Sequence, residues 1–373
     1  MTATLQLTED LIRIPSITPK DEGCLDLIIP RLEKLGFTIE LFPCEDAINL
    51  WARLGDATPL VCLAGHTDVV ATGDLAAWTS HPFKPEIRDG MLYGRGAADM
   101  KSGLAAMIVA VEEYLAHNKP NGSIAFLITS AEEGPSHLGT PVVIDALEQR
   151  GEKIDYCIVG EPSSSKQFGD TIKNGRRGSL TGQLVVQGKQ GHIAYPHLAE
   201  NPIHSVLKAL DELVNIEWDQ GNNYFEPTSL QISNLNSGTG QGNVIPGTLQ
   251  CDFNFRYSPE VTAEQLTQKT LALLDAHKLN YDIEWTHFGN AFLTEEGKLT
   301  KICQQVVKNI TGITPKLSTG GGTSDARYIA PTGAEVIELG VINKTIHQVN
   351  ECASVNDIDQ LKQVYLSMLQ QLC

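Results

Sequence analysis

The stretch LVCLAGHTDVV, residues 60–70, sets an unbroken apolar run directly before a histidine and an aspartate. Two further stretches share this design, with an apolar run followed at once by acidic residues: IAFLITSAEEG (124–134) and IDYCIVGEPSS (154–164). Short runs without polar alternation are typical of strands that are covered on both faces. We therefore expect three strands of a parallel sheet with helices on either side.

Helical patterns lie between and after these runs. Residues 100–118, between the first two runs, carry apolar side chains at helical spacing. A fourth apolar run, EVIELGV (335–341), is followed by an amphipathic helix pattern over residues 357–372. Because strands and helices alternate, the sequence predicts a layered α/β/α fold.

The middle of the chain predicts a smaller α+β domain inserted into the layered one. Its elements are a strand at 180–187, a helix at 202–215 capped by Asn201, strands at 229–235 and 248–256, a helix at 262–277 and a strand at 281–287. This β-α-β-β-α-β order is the ferredoxin-like arrangement. We therefore expect a larger domain in two parts, residues 1–177 and 292–373, and an inserted domain at residues 178–291.

Composition and charge exclude several classes of function. The 373 residues are 42% hydrophobic, and 45 acidic against 28 basic side chains give a formal net charge of −17. This charge opposes non-specific binding to nucleic acid or to an anionic membrane. No apolar stretch approaches the ~20 residues of a membrane-spanning helix, and the N-terminus lacks a signal-peptide pattern, so we expect a cytoplasmic protein. The eight cysteines form no C-x-x-C pair, which indicates reduced, packing thiols.

Potential metal ligands follow the buried runs. His66, Glu133 and Glu161 stand just beyond three of them, Asp99 begins the first helix pattern, and His347 follows the fourth run. Taken singly, each has an ordinary explanation, such as a helix N-cap for Asp99. Because ligands bind beyond the carboxyl ends of strands in open α/β sheets, we expect the five side chains to meet in one crevice. Three carboxylates and two imidazoles there would repel and lose hydration without a cation.

The ligand types indicate two cations. Oxygen and nitrogen ligands without a thiolate suit zinc, cobalt or manganese. We expect His66 and Glu161 on one ion, Glu133 and His347 on the other, and Asp99 bridging both. Each ion then keeps an open position, which is typical of catalytic rather than structural sites.

Two neighbouring carboxylates complete the predicted site. Asp68, two residues after His66, is placed to accept the second imidazole N–H and fix the tautomer, although a His-x-Asp pair is more often a structural hydrogen bond. Glu132 is not needed as a ligand, so we expect it to act as the general base toward a cation-activated water. The alternative for the paired Glu132 and Glu133 is a solvated loop.

The motifs HTDVV, GRGAADMKSG, SAEEG, GEPSS and NKTIHQVNE resemble those of the M20-type co-catalytic zinc hydrolases, the metal-dependent aminoacylase and carboxypeptidase superfamily. The likeness covers nearly the whole chain. It implies a catalytic domain, an inserted lid and dimerisation domain, and two Zn²⁺ per subunit with Co²⁺ as a substitute. It also implies that Glu132 is the general acid/base, that Asp68 supports His66, and that the zinc ligands are His66, Asp99, Glu133, Glu161 and His347.

Three longer segments are similar to one branch of that family: IKNGRRGSL (172–180), STGGGTSDARYI (318–329) and IELGVINKTIHQVNE (337–351). The resemblance implies hydrolysis of N-succinyl-L,L-2,6-diaminopimelate to succinate and L,L-2,6-diaminopimelate, a step toward lysine and peptidoglycan precursors. It implies that this small polyanionic substrate is contacted by Arg176, Ser179, Tyr195, Asn243, Arg256, Gly322, Thr323 and Asn343. The alternatives are a surface salt bridge for the arginines, which we prefer for Arg177, and a flexible turn for the glycine run.

His192, in GKQGH (188–192), has two explanations. From the sequence alone it is equally well an ordinary exposed loop histidine. In the family that the chain resembles, the matching histidine comes from the partner subunit of a dimer and donates a hydrogen bond to the developing oxyanion. The resemblance therefore implies a homodimer formed through the inserted domain.

Other functions stay open or are rejected. A relative that acts on another N-acyl amino acid, such as an acetylornithine deacetylase, and a metal-free non-catalytic relative remain as alternatives. GRGAAD (94–99) nearly matches a dinucleotide-binding motif, but Asp99 stands where the third glycine belongs, so we reject a cofactor site of this kind.

Two residues, Ala71 and Ala131, depart from those common in this branch of the family. We expect them to tune loop geometry only.

Overall fold

The computed structural model describes residues 1–373. Its α-helices, in chain order, are α1 (Ala3–Ile12), α2 (Cys24–Lys34), α3 (Lys101–His117), α4 (Thr140–Gln149), α5 (Pro202–Val214), α6 (Ala263–Ala276), α7 (Lys298–Thr311), α8 (Ala326–Ile329) and α9 (Val355–Leu372).

The strands, in chain order, are β1 (Thr38–Cys44), β2 (Ala47–Leu54), β3 (Leu60–His66), β4 (Glu86–Arg88), β5 (Met91–Tyr93), β6 (Ser123–Thr129), β7 (Tyr156–Val159), β8 (Thr171–Lys173), β9 (Gly175–Arg176), β10 (Gly178–Gln187), β11 (Gly191–His192), β12 (Ser229–Ser237), β13 (Val244–Ile245), β14 (Thr248–Tyr257), β15 (Tyr281–Gly289), β16 (Phe292–Leu293), β17 (Lys316–Ser318), β18 (Glu335–Glu338) and β19 (Cys352–Ser354).

The chain divides into two compact units. Unit 1 comprises Met1–Gly175, Leu293–Ser318 and Ser324–Cys373. Unit 2 comprises Arg176–Phe292 together with Thr319–Thr323, a short segment that the sequence patterns had not separated from its surroundings.

Unit 1 contains an eight-stranded sheet in the order β1-β2-β6-β3-β7-β18-β8-β17. The four apolar runs of the sequence are its central strands β6, β3, β7 and β18, which are parallel neighbours. The sheet is mixed rather than parallel throughout, because β1 and β2 form an antiparallel hairpin and β2 pairs antiparallel with β6. The edge strand β1 carries exposed and half-buried residues only, so it lacks the continuous apolar signature of the central strands.

The buried centre of unit 1 is built on α3 and α9. Every residue of α3 from Lys101 to Val111 is buried, so this helix is covered all round, as its apolar sequence predicts. The amphipathic pattern at the C-terminus forms α9, whose apolar face packs into the same core as α3. The eight cysteines are all free thiols, as expected from their spacing.

The register of the central strands sets the carboxyl ends side by side. His66, the last residue of β3, is opposite Thr129, the last residue of β6. Ala64 of β3 is opposite Val159 at the end of β7. The loops that follow these three strands therefore start at one edge of the sheet.

Unit 2 contains a four-stranded antiparallel sheet in the order β12-β14-β10-β15. With helices α5 and α6, this is the ferredoxin-like order predicted from the sequence. The predicted cap of α5 is confirmed, since the Asn201 side chain accepts a hydrogen bond from the Ile203 N–H. Phe253 and Phe255 of β14 lie in the apolar cluster that joins this sheet to its two helices.

No helix of either unit combines the length and the apolar character that crossing a membrane requires.

Gly103, in the first turn of α3, allows this helix to approach the loop after β7. A Cβ at Gly103 would lie 2.3 Å from the carbonyl oxygen of Gly160. Helix propensity alone predicts that Gly to Ala stabilises by roughly 1 kcal/mol. We expect Gly103→Ala instead to lower the free energy of unfolding by about 1–3 kcal/mol, because the helix must shift away from the sheet. Urea denaturation measures the change.

The matched control is Gly242→Ala in unit 2, where an added Cβ meets nothing within 4 Å. This change should stay within about 0.5 kcal/mol of the parent chain. A gain of stability on Gly103→Ala would contradict the proposed close approach.

Candidate metal centre and active site

All five predicted metal ligands lie in unit 1, on loops at the carboxyl edge of its sheet. His66 ends β3, Glu133 follows β6, and Glu161 follows β7. Asp99 precedes α3 and His347 follows β18. The alternative explanation of Asp99 as a helix N-cap is wrong, since the N-cap residue of α3 is Met100 and no side chain caps this helix. The Asp99 carboxylate is thus available to the site.

The five side chains form two groups that share Asp99. His66 Nε2 lies 3.3 Å from Asp99 Oδ1 and 3.4 Å from Glu161 Oε1. His347 Nε2 lies 3.5 Å from Asp99 Oδ2 and 3.0 Å from Glu133 Oε2. Within each group the ligand atoms are within 4.8 Å of one another. One oxygen of Asp99 therefore faces each group, which is the placement a bridging carboxylate needs.

The hydrogen bonding of His66 leaves one ring nitrogen without a partner. Its Nδ1 lies 2.9 Å from the backbone carbonyl oxygen of Asp68, which can only accept, so Nδ1 carries the proton. In the neutral imidazole the lone pair of Nε2 then faces the oxygens of Asp99 and Glu161. Both His66 Nε2 and Asp99 Oδ1 are buried without a hydrogen-bond partner. Buried acceptors that face one another need a proton or a cation between them, and these residues fit a divalent cation.

The pKa values show the same lack of positive charge. Burial raises the pKa of Glu161, and the nearby Asp99 raises it further, to about 8. Hydrogen bonds to Asp99 and Glu133 raise the pKa of His347 to about 10. Burial lowers the pKa of His66, but the Asp99 and Glu161 carboxylates outweigh this and hold it well above its ordinary value. Without cations, the site takes up protons instead.

Glu132 lies beside the ligands and is not a member of either group. Burial raises its pKa well above the ordinary value, and the carboxylates of Glu161 and Asp325 add to the shift. Burial also raises the pKa of Glu133, despite its hydrogen bond from His347. A carboxyl group whose pKa is raised by burial is a stronger base than an exposed one, which suits a general base.

Asp68 acts differently from the prediction. The sequence predicts that the Asp68 carboxylate accepts the second N–H of the His66 ring. In the structure the backbone carbonyl of Asp68 accepts it, and the carboxylate oxygen Oδ1 of Asp68 lies 3.5 Å from His66 Nδ1. The two carboxylate oxygens instead accept hydrogen bonds from the backbone N–H groups of Glu132 (3.2 Å) and Glu133 (3.0 Å). One fully buried residue therefore orients His66 through its main chain and the glutamate pair through its side chain.

Two buried charges near Glu132 were missed at the level of sequence. Asp325 accepts a hydrogen bond from Thr140 Oγ1 (2.7 Å), and Arg327 donates one to Ser136 Oγ (2.9 Å). Both residues fall in STGGGTSDARYI, for which the family resemblance implies only Gly322 and Thr323 as site residues. The sequence signal that could have indicated these two residues is an aspartate and an arginine, two positions apart, just beyond a glycine run.

Of the predicted substrate contacts, only Asn343 lies in unit 1. Unit 2 brings the others into two groups. The first group contains Arg176, Ser179, Arg256, Gly322 and Thr323. Arg176 donates a hydrogen bond to the carbonyl of Gly320 (3.2 Å), which lies in the same short segment as Gly322 and Thr323. Ser179 of β10 is opposite Arg256 of β14. The second group consists of His192, Tyr195 and Asn243.

The second group lies on an exposed part of unit 2. The rings of His192 and Tyr195 are 5.6 Å apart, and Asn243 directly precedes Val244, the strand partner of His192. His192 Nδ1 accepts a hydrogen bond from the Ala194 N–H (3.0 Å), so Nε2 is the ring nitrogen that carries the proton. Arg177 forms a salt bridge with Glu226 (3.7 Å), as preferred from the sequence.

Comparison with protein families places most of the chain in one of them. The model of peptidase family M20/M25/M40 matches residues 62–371. The chain is 57% identical to the succinyl-diaminopimelate desuccinylase of Psychromonas ingrahamii over 99% of this chain and 98% of that protein. It is also 57% identical to the succinyl-diaminopimelate desuccinylase of Acinetobacter baylyi, with the same coverage of both chains.

Solved structures share the fold. An M20 family metallo-carboxypeptidase from Sulfolobus solfataricus superposes with a TM-score of 0.83 at 19% identity and covers 99% of both chains. A dinuclear metal-binding M20 peptidase from Bacillus subtilis superposes with a TM-score of 0.73 at 13% identity, covering 99% of this chain and 97% of that one. These likenesses confirm the predicted α/β fold with its additional α+β domain.

The raised pKa of Glu161 predicts how the metal-free chain responds to pH. The folded state holds a proton on Glu161 up to about pH 8, whereas the unfolded state releases it near its ordinary pKa of 4.5. The stabilisation is therefore complete below that ordinary pKa and is lost as the pH rises toward 8. In the presence of a chelator, Glu161→Gln should lose less stability between pH 5 and 8 than the parent chain, by more than about 1 kcal/mol.

Urea unfolding at the two pH values measures this difference. Glu113→Gln, an exposed carboxylate paired with Lys362, is the matched control and should respond to pH like the parent chain. Equal pH responses of Glu161→Gln and the parent chain would show that Glu161 is not the proton-binding group.

Proposed function

The chain belongs to peptidase family M20/M25/M40, and from this premise we propose that it hydrolyses the amide of N-succinyl-L,L-2,6-diaminopimelate to succinate and L,L-2,6-diaminopimelate. The observation that carries the proposal is the pair of His–carboxylate groups that share Asp99, with Glu132 beside them. We infer the substrate from the names of the two relatives at 57% identity, which are both succinyl-diaminopimelate desuccinylases.

His66 and Glu161 would hold one cation, Glu133 and His347 the other, and Asp99 would bridge the two. Zinc suits this set of imidazole and carboxylate ligands, and cobalt is the expected substitute. When bound, the two cations lower the pKa of a water molecule and polarise the carbonyl of the scissile amide.

Glu132 would move the proton. Its carboxyl takes a proton from the attacking water and delivers it to the nitrogen of the leaving amine, which must leave as a neutral group. The Asp68 carboxylate orients this step by holding the backbone N–H of Glu132. The raised pKa of Glu132 makes its carboxylate a stronger base toward the attacking water.

Residues of unit 2 would recognise the substrate. Arg176 and Arg256 offer planar guanidinium groups for its carboxylates, in a chain whose net charge is otherwise −17. Ser179, Tyr195, Asn243, Gly322 and Thr323, with Asn343 of unit 1, would complete the contacts. The proton on His192 Nε2 suits donation to the oxyanion that forms on the carbonyl.

We also propose a homodimer in the cytoplasm, with His192 acting on the active site of the partner subunit. Strand β12 is an edge strand of the unit 2 sheet, and most of its residues are exposed. Exposed edge strands pair readily with a second chain. All eight thiols are free, as expected for a reducing compartment.

The decisive experiment measures metal content and succinate release before and after chelation. We expect about two divalent ions per chain, loss of succinate release on chelation, and recovery when zinc or cobalt is restored. The N-acetyl analogue should be cleaved much more slowly, because it lacks the distal carboxylate. Full activity without metal, or faster release of acetate than of succinate, would contradict the proposal.

Glu132→Gln tests the proton-transfer role. The amide cannot accept a proton, so we expect kcat to fall by about 10²–10⁴-fold while both metals are retained. Glu133→Gln is the matched comparison, since the same change one residue later should lower the metal content. Residual activity close to that of the parent chain in Glu132→Gln would assign the general base elsewhere.

Mixing two inactive variants tests the contribution of the partner subunit. His192→Ala should lose about 3 kcal/mol of transition-state stabilisation. In a mixed dimer with Glu132→Gln, one of the two sites regains both groups. After subunit exchange we expect about a quarter of the parent activity, as random pairing of two subunits allows. No recovery, with mixed dimers verified by mass spectrometry, would place His192 outside the partner's site.

A further inference from the structure

Glu351 is a fully buried carboxylate that none of the roles above uses. It lies four residues after His347 and forms a 2.7 Å ion pair with Arg95, which is also buried. Neither residue belongs to the two ligand groups. A buried ion pair is weak evidence for stabilisation, because removing two charges from water opposes their attraction. The reason for this pair must lie in what its atoms contact.

Both oxygens of Glu351 are committed to the segment that ends in Asp99. Oε1 accepts hydrogen bonds from the backbone N–H groups of Ala98 (2.9 Å) and Asp99 (3.0 Å). Oε2 accepts from the Gly96 N–H (3.0 Å) and from Arg95 Nη1. Three backbone amides within four residues thus converge on one side chain. The peptide unit that carries Asp99 cannot rotate without breaking a charge-assisted hydrogen bond.

Arg95 connects the same segment to two other loops of the site. Its Nη1 also contacts the carbonyl oxygen of Gln348 (3.3 Å), next to His347, and its Nη2 donates to the carbonyl of Ala71 (3.2 Å). The Gly94 N–H donates to the Glu351 carbonyl (3.0 Å). The ion pair therefore joins the loop after β3, the loop before α3 and the loop after β18.

We propose that Glu351, together with Arg95, is a positioning residue of the metal centre. It holds the Asp99 carboxylate between the two ligand groups before any cation binds. The proposal rests on the metal-binding role of Asp99 in the proposed function. Because Asp99 serves both groups, a change at Glu351 affects the affinity of both cations, whereas the loss of a ligand that serves one group affects mainly one.

Glu351→Gln is the direct test. The amide keeps the shape of the side chain, but its NH₂ group must face either the Ala98 and Asp99 N–H groups or the Gly96 N–H and Arg95. We expect affinity for zinc to fall about 10–100-fold at both sites, measured by competition with a chromophoric chelator on the metal-free protein. Backbone amide exchange at Ala98 and Asp99 should accelerate in the metal-free protein. At saturating zinc, kcat should recover and the KM for substrate should stay unchanged.

Glu152→Gln is the matched control, because Glu152 also accepts from two arginines, Arg53 (2.7 Å) and Arg150 (2.6 Å), outside the site. It should alter thermal stability without altering zinc affinity. Arg95→Lys is a second variant in case Glu351→Gln does not fold. It keeps a cation opposite Glu351 but loses the planar contacts to Ala71 and Gln348, so we expect an intermediate loss of affinity.

The outcomes separate this proposal from the proposed function. A Glu351→Gln chain that melts at lower temperature but binds zinc like the parent chain would overturn the positioning role. If the parent chain binds two zinc ions but releases no succinate, the proposed function fails, while the affinity comparison still decides the role of Glu351. If the parent chain binds no zinc, both proposals are refuted.

Discussion

The carboxylate of Asp99 is the constraint on which the site depends. It is buried between two imidazoles and two glutamates, and its Oδ1 and the facing His66 Nε2 have no hydrogen-bond partner. A cluster with this many acceptors is unstable unless positive charge enters it, as the raised pKa values of Glu161 and His347 indicate. The surrounding structure keeps the cluster together in spite of this repulsion, which the proposed binding of cations would relieve.

Buried carboxylates that accept backbone N–H groups recur around this cluster. Asp68 holds the backbone of Glu132 and Glu133, and Glu351 holds the residues before and at Asp99. Asp21, another buried carboxylate, accepts hydrogen bonds from the N–H groups of Gly23 and Leu25 and from the hydroxyl of Thr67, the residue after His66. These carboxylates hold the loops in place through main-chain hydrogen bonds. Residues that orient metal ligands in this way support a metal site without contacting the metal themselves.

Close backbone approach is the second requirement of the site. The loop after β7 carries Glu161, and it reaches α3 at a distance that no Cβ at Gly103 would permit. This approach brings Glu161 near the start of α3, where Asp99 lies. The close packing of helix on sheet therefore sets ligand geometry as well as stability.

The central strands, the two helices of unit 2 and the clustering of the five candidate ligands could be predicted from the sequence. Burial on both faces and polar residues at strand ends, such as His66 and Glu161, leave local signals in the sequence. Tertiary structure alone decided the rest. Sequence patterns do not reveal the edge hairpin or three hydrogen bonds of the site. These bonds join the His66 ring to the Asp68 carbonyl, the Glu132 N–H to the Asp68 carboxylate, and the Asp99 N–H to the Glu351 carboxylate, and their partners lie between 2 and 252 positions apart. Such hydrogen bonds are made through main-chain groups, which every residue carries, so no pattern of side chains announces them.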